Sequence, residues 1–387
     1  MKKKQEFLDD PLDKLPTLSV DKEKISDAGS ARYSIAEWYG KDVISMTPKE
    51  RRSAAFSATS KSSKKPECPF MATLTPGAKC NKAGGVCTIR KYERSKDGII
   101  RPTIDSCVVT ICPARFLGLD SSNKPALAWV AEKMLNITEP IVIKETPFLQ
   151  TLESEASLSR KERKSNQVDD QLVLIDTKTT DVQALPEEAR KAGRIDWLLM
   201  DGSSQNLQDP KWCAVETQSV YFSGGKMNPE FLAYSSQPEK IHYPFSFRRP
   251  DYRSSGPKRL APQLSVKVPV LRGWGKKVAV VIDRFFFENM SDLKEAYSLG
   301  KSDNEKLDNC EVAWFILDYD EDMNLVHYKY RFSKLDQSIE ALNATQPMSK
   351  DEFNRSLVEL TKNKKKSGKK VFKLHTSKIH NDKELPG

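Results

Sequence analysis

Two uninterrupted apolar runs, 278–282 (VAVVI) and 312–317 (VAWFIL), each give way to an acid, Asp283 and Asp318. They are too short for buried helices and show no polar alternation, so they read as central strands covered on both faces. Covering two faces takes helices, and the chain has them. Leu127, Val130, Ala131, Met134 and Leu135 fall at helical spacing behind Pro125, as do Leu260, Leu264, Val268 and Leu271. Pro269 lies inside the second pattern and should kink or end that helix. Further strands are predicted at 140–149, 172–175, 195–200 and 212–222, and a short helix at 186–192 with Glu187 and Glu188 in its first turn. The fold class is mixed α/β, a central sheet flanked by helices.

A 387-residue chain with 38% hydrophobic and 9% aromatic residues can bury a sizeable core, which excludes a wholly disordered protein. No apolar run approaches the length that spans a bilayer. The opening Met1-Lys2-Lys3-Lys4 is followed by Gln5, Glu6, Asp9 and Asp10 rather than an apolar segment, so no secretory leader is expected. A soluble, intracellular protein without membrane association is the expectation.

Composition divides the chain. Residues 1–65 read as an N-terminal arm and linker, partly disordered, with 51–66 a Ser-rich basic stretch. Residues 66–137 form a cysteine-rich region, 138–335 the α/β core and 336–387 a C-terminal helix and basic tail.

Five of the seven cysteines (Cys68, Cys80, Cys87, Cys107, Cys112) crowd into 45 residues that are loop-rich and poor in apolar periodicity. Disulfides do not suit a reducing compartment. Five inert buried thiols would leave the segment without a source of order, which a thiolate-bound metal supplies. Four thiolates suit zinc or a single iron, and the spacing, which is not that of paired CxxC motifs, leaves the metal open.

Asp196 lies in one predicted strand, and Glu216 and Gln218 lie two apart, on one face, in the next. Two carboxylates meeting at a sheet's end make a hard-oxygen pocket for Mg²⁺, which can polarise a phosphate and acidify an attacking water. The Gln218 amide stands where many nucleases place a lysine and could orient that water. An exposed polar strand face carries the same pattern, so the pair gains weight only from a second feature.

The net charge is +10, from 63 Lys and Arg against 53 Asp and Glu. Residues 242–277 hold nine cations against Asp251, a balance of +8, and 362–387 hold nine lysines against Asp382 and Glu384, a balance of +7. The remainder is net acidic, so the excess is local and points to polyanion contacts. The first block supplies Arg248, Arg249, Arg253, Lys258, Arg259, Lys276 and Lys277 as candidate DNA-contacting residues. Lys79, Asn81, Lys82, Lys226 and Asn228 are candidate base readers.

Together these motifs resemble the NotI-type restriction endonucleases, which join a four-cysteine iron site to a PD-(D/E)xK-like nuclease core. Cys68-Pro69-Phe70, Cys80, Gly85-Val86-Cys87, Cys112-Pro113, Ile195-Asp196-Trp197 and Glu216-Thr217-Gln218 carry the resemblance, in the family's order and separations, over about residues 66–225. It implies that Cys68, Cys80, Cys87 and Cys112 ligate iron, with zinc the alternative; Cys107 has no counterpart in that set and is either a buried thiol or the fourth ligand in place of Cys112. It implies Asp196, Glu216 and Gln218 as the catalytic set, with Asp196 and Glu216 on Mg²⁺. Asp201 is a rival to Asp196, and Asp176, Asp181, Glu187 and Glu188 compete for any upstream acid. The implied activity is a type II restriction enzyme that uses Mg²⁺ to cut double-stranded DNA at a specific sequence and leaves 5′-phosphate ends; the alternatives are a metal-stabilised DNA-binding protein without catalysis and a repair or recombination nuclease without sequence specificity. Cutting both strands of a palindrome implies a homodimer. A bacterial cytoplasmic location and a partner DNA methyltransferase follow from the same resemblance.

Overall fold

The computed structural model describes residues 30–60, 65–104, 107–149, 193–203, 209–293, 297–344 and 349–362. The N-terminal arm to residue 29, the predicted strand 172–175, the predicted helix 186–192, the candidate acids Asp176, Asp181, Glu187 and Glu188, and the basic tail beyond 362 lie outside those residues. The chain divides into two compact units, Met1–Ala344 and Thr345–Gly387.

The first unit opens with strands β1 (Arg32–Trp38) and β2 (Lys41–Asp42) and helix α1 (Pro48–Thr59). The helix stands where a Ser-rich linker was expected. Thr47 and Glu50 close a reciprocal capping box and Pro48 fills the first turn, so local capping outweighs the serines. Arg51 is buried in α1 and donates to the carbonyls of Val43, Ile44 and Pro238. Residues 32–59 therefore belong to the folded body rather than to an arm.

Strands β3 (Val86–Arg94), β4 (Ile100–Pro102) and β5 (Val109–Thr110) complete a small antiparallel sheet of order β2-β1-β3-β4, with β5 also on β3. Helix α2 (Ala126–Leu135) follows Pro125 as the periodicity predicts. The main sheet comprises β6 (Ile141–Pro147), β7 (Arg194–Met200) and β8 (Trp212–Thr217), together with three strands from later in the chain. Between lie β9 (Tyr221–Ser223), α3 (Asn228–Ser236), β10 (Arg249–Asp251), α4 (Tyr252–Ser255) and α5 (Ala261–Gly273). Then come β11 (Val278–Asp283), α6 (Arg284–Glu288), α7 (Asp303–Asn309), β12 (Val312–Tyr319), β13 (Leu325–Ser333) and α8 (Leu335–Asn343).

The sheet order is β13-β12-β11-β8-β7-β6. Strands β8, β11 and β12 run parallel at the centre, and antiparallel strands flank them on both sides. The two apolar runs are two of the three parallel strands, β11 in the middle with β12 beside it, and every residue of β11 is buried. One face, with Ala214, Val278, Val280 and Ile282, packs on Leu264, Val268 and Leu271 of α5. The other, with Cys213, Val215, Ala279 and Val281, packs on Leu127, Val130 and Ala131 of α2. The fold class is mixed α/β, as predicted. Helix α5 runs on to Gly273 past Pro269, whose ring lies on the exposed side.

The predicted strand 212–222 is two strands. After Thr217 the amide of Gln218 still bonds Val281 O at 3.0 Å, but that of Val220 bonds Thr110 O at 2.8 Å. The chain thus leaves the main sheet for β5 of the small one. The second unit contains α9 (Lys350–Lys362), an amphipathic helix with Phe353 and Leu357 exposed. Among the described residues no helix is long and apolar enough to cross a membrane.

Candidate active site

Neighbouring strands β7 and β8 bring the two predicted carboxylates together. The antiparallel register sets Trp197 against Val215 and Leu198 against Ala214, which brings Asp196 level with Glu216 on the face covered by α5. Asp196 Oδ2 accepts from Thr217 N at 3.0 Å and from Thr217 Oγ1 at 3.3 Å, and Asp196 N lies 3.4 Å from Glu216 Oε1. Asp196 Oδ1 accepts no hydrogen bond among the described residues. Asp201 is excluded by geometry: it sits past the opposite end of β7, where its carboxylate caps Ser203 and its amide meets Lys211 O.

Glu216 is buried, and its Oε2 is 2.6 Å from Nζ of Lys267, a residue of α5 that is itself fully buried. Burial, with the Asp196 charge adding to it, pushes the Glu216 carboxyl up to about 8 against the pull of Lys267. Burial likewise raises the Asp196 carboxyl, and Lys267 opposes that shift too. Two acids and one lysine therefore share a poorly solvated spot.

Lys267 escaped the sequence reading because it was counted with the basic block of 242–277. The signal was its position: between Leu264 and Val268, it falls in a stripe that is otherwise aliphatic. Gln218 is not joined to either carboxylate by a hydrogen bond; its Nε2 donates to Ser219 O at 2.6 Å.

Cys68, Cys80, Cys87 and Cys112 are all buried and reduced, and they come from two paired segments. Cys68 N bonds Ala78 O and Cys80 N bonds Pro66 O, so a tight antiparallel bridge holds the first two. Ile111 N and Cys112 N both bond Cys87 O, at 3.0 and 3.2 Å, which sets the last two side by side. Gly85 makes the turn before Cys87 at φ +67°, where a Cβ would fall within 2.1 Å of the Tyr39 ring. Burial raises the thiols of Cys80, Cys87 and Cys112, and neighbouring thiolate charge adds to each shift.

Lys82 lies among them, with Nζ donating to Ile111 O. It is tied into this group rather than free to read bases, and Lys79 is paired with Glu67 at 3.3 Å. Cys107 stands elsewhere, with Sγ 3.9 Å from Glu288 Oε2. Cys213 and Cys310 belong to the apolar core.

Among the described residues no group of three or more His, Cys, Asp and Glu side chains takes up an arrangement that would hold a metal ion. The chemistry of both donor sets still suits a cation: two carboxylates with an open oxygen for a hard ion, and four thiols whose ionised forms repel for a soft one.

The basic block divides. Arg248 is in the interior, where it grips Glu230 through both Nη atoms, so it is not available to DNA. Arg272 pairs with Glu311, and Lys276 with Asp209. Arg249, Arg253, Lys258 and Arg259 are exposed, and Arg259 stacks over the Tyr221 ring at 4.0 Å. Tyr221 N is bonded to Ser255 Oγ, so these cations flank the segment that continues from Gln218.

A family model described as restriction endonuclease NotI matches residues 52–187 and 175–331, a span that includes both donor sets. No curated protein matches the chain, and no solved structure does. The chain therefore belongs to the restriction endonuclease NotI family: it is a type II site-specific deoxyribonuclease, and its substrate is double-stranded DNA.

Proposed function

We propose that this endonuclease is Mg²⁺-dependent and cuts at the β7–β8 site. The observation that carries the reading is Asp196 set level with Glu216 across an antiparallel pair, with Oδ1 of Asp196 open. Bound there, Mg²⁺ would supply positive charge to the scissile phosphate and acidity to a water. Asp196 and Glu216 hold it. Thr217 fixes the Asp196 carboxylate through two hydrogen bonds to Oδ2, which leaves Oδ1 for the ion. Gln218 orients the attacking water once its amide leaves Ser219 O. In-line attack leaves 5′-phosphate and 3′-hydroxyl ends.

Exposed Arg249, Arg253, Lys258 and Arg259 grip phosphates beside the site, with Lys277 as a further candidate. Cys68, Cys80, Cys87 and Cys112 hold one iron, or zinc, that orders the loop and takes no part in the chemistry. Two chains act together as a C2 dimer on a palindrome. A bacterial cytoplasm and a companion methyltransferase complete the reading.

Digestion of a long DNA of known sequence, followed by sequencing of the ends, tests it. Discrete fragments with 5′-phosphates, dependent on Mg²⁺ and lost in Glu216→Ala, are expected. Fragments that persist in Glu216→Ala would count against the site, and a smear would favour a nuclease without sequence specificity.

A further inference from the structure

Helix α5 buries Ala261, Leu264, Val268 and Leu271, and Lys267 lies in that same stripe with none of its side chain exposed. Holding an ammonium there is costly, and an apolar side chain of similar volume would pack as well or better. Packing therefore does not account for the lysine. Its contacts do. One proton goes to Glu216 Oε2 at 2.6 Å and one to Gln263 Oε1, a turn earlier on α5, at 3.1 Å. The third has no acceptor among the described residues.

With Oε2 anchored, the other oxygen of Glu216 is turned toward Asp196, whose backbone N lies 3.4 Å from it. The strand position where a nuclease would carry its cation is Gln218, which is bonded elsewhere.

We propose that Lys267 is a positioning residue of the cleavage site: from α5 rather than from the strand, it holds Glu216 so that Oε1 and Asp196 address one metal ion. The inference rests on the site proposed above. It is a claim about orientation. A partner that orients a metal-binding carboxylate changes metal affinity or activity by about 10- to 100-fold when removed.

The test uses the full chain carrying Lys267→Met or Lys267→Arg. Mn²⁺ binding is measured by calorimetry, single-turnover cleavage at several Mg²⁺ concentrations, and folding by thermal denaturation. Lys267→Met should melt lower than the parent, because Glu216 loses its buried partner, and the folded fraction should bind Mn²⁺ and cleave about 10- to 100-fold less well, with part of the loss recovered in Lys267→Arg. If the Met variant does not fold, Lys267→Gln takes its place in the same comparison.

Mn²⁺ binding that is unchanged overturns the proposal. So does binding that tightens, the sign expected of a mere counter-ion, or cleavage within about threefold of the parent, which is below the effect of losing an orienting partner. Glu216→Ala separates the two readings. If that variant still cuts, the site itself is misplaced; if it is dead while Lys267→Met is normal, only the role of Lys267 fails.

Discussion

Both guanidinium Nη atoms of Arg248 hold the carboxylate of Glu230, at 2.5 and 2.6 Å, and neither side chain reaches solvent. Phe245 N adds a third bond to the same carboxylate at 3.0 Å, and Arg248 Nη2 also donates to Lys226 O. Removing one partner leaves a buried charge uncompensated. Arg248→Ala should lower stability by about 3–5 kcal/mol, measured by chemical denaturation, and its effect on DNA binding should follow the loss of folded protein.

The neighbouring residue behaves differently. Arg249 and Arg253 are exposed on β10 and α4 beside the cleavage segment. Arg249→Ala and Arg253→Ala should leave the melting temperature unchanged. Each should weaken DNA binding and reduce the slope of log affinity against log salt by about 1. Fluorescence anisotropy at several salt concentrations reads this directly; an unchanged slope places the DNA elsewhere.

The two aspartates at opposite ends of β7 make a paired test. Asp196→Asn should reduce single-turnover cleavage by roughly 1,000-fold, because the charge stabilisation a metal provides is worth several kcal/mol. Asp201→Asn should cut normally, since Asp201 only caps the turn at Ser203.

Asp283 gives the chain a pH dependence of its own. It is fully buried at the end of β11, where Oδ2 accepts from Thr110 N at 2.6 Å and Oδ1 from Phe286 N at 2.7 Å. Burial pushes its carboxyl up to about 6 despite those bonds. A carboxyl raised on folding contributes stability that is fully present below its unfolded value and lost as pH rises through the folded one. The stability difference between the parent and Asp283→Asn should therefore shrink by about 3 kcal/mol between roughly pH 4 and pH 7. Denaturation curves across that range check it, and a difference that grows with pH reverses the sign.

The cysteine group predicts a selective loss. Cys80→Ser and Cys112→Ser should each strip the purified chain of about one metal ion and lower its melting temperature, as should a strong chelator. Cys107→Ser should change neither, because Cys107 is beside Glu288 and away from the four. Metal analysis of the three variants side by side decides it.

Much of this was legible in the chain itself. The runs 278–282 and 312–317 are buried parallel strands, and Leu127 to Leu135 is a helix face, because hydrophobic periodicity is local and strong there. That Asp196 and Glu216 lie on neighbouring strands was likewise legible from sequence order, and the register of β7 and β8 sets them level. At Thr47 and Glu50 the capping box outweighs the serines that follow, so a helix stands where composition alone suggests a linker.

Charge was the quantity that sequence described least well. Counting by segment located a basic block at 242–277, but a count assigns no depth. Tertiary structure took Arg248 inward to Glu230 and Lys267 inward to Glu216, and left Arg249, Arg253, Lys258 and Arg259 outside. The reason is that an ion's role depends on its solvation and its partner, and both partners here are distant in sequence: Glu230 is 18 residues from Arg248, and Glu216 is 51 from Lys267. Sequence order singled out the residues proposed for the chemistry; only the packing of α5 on the sheet set a lysine from the basic block against one of them.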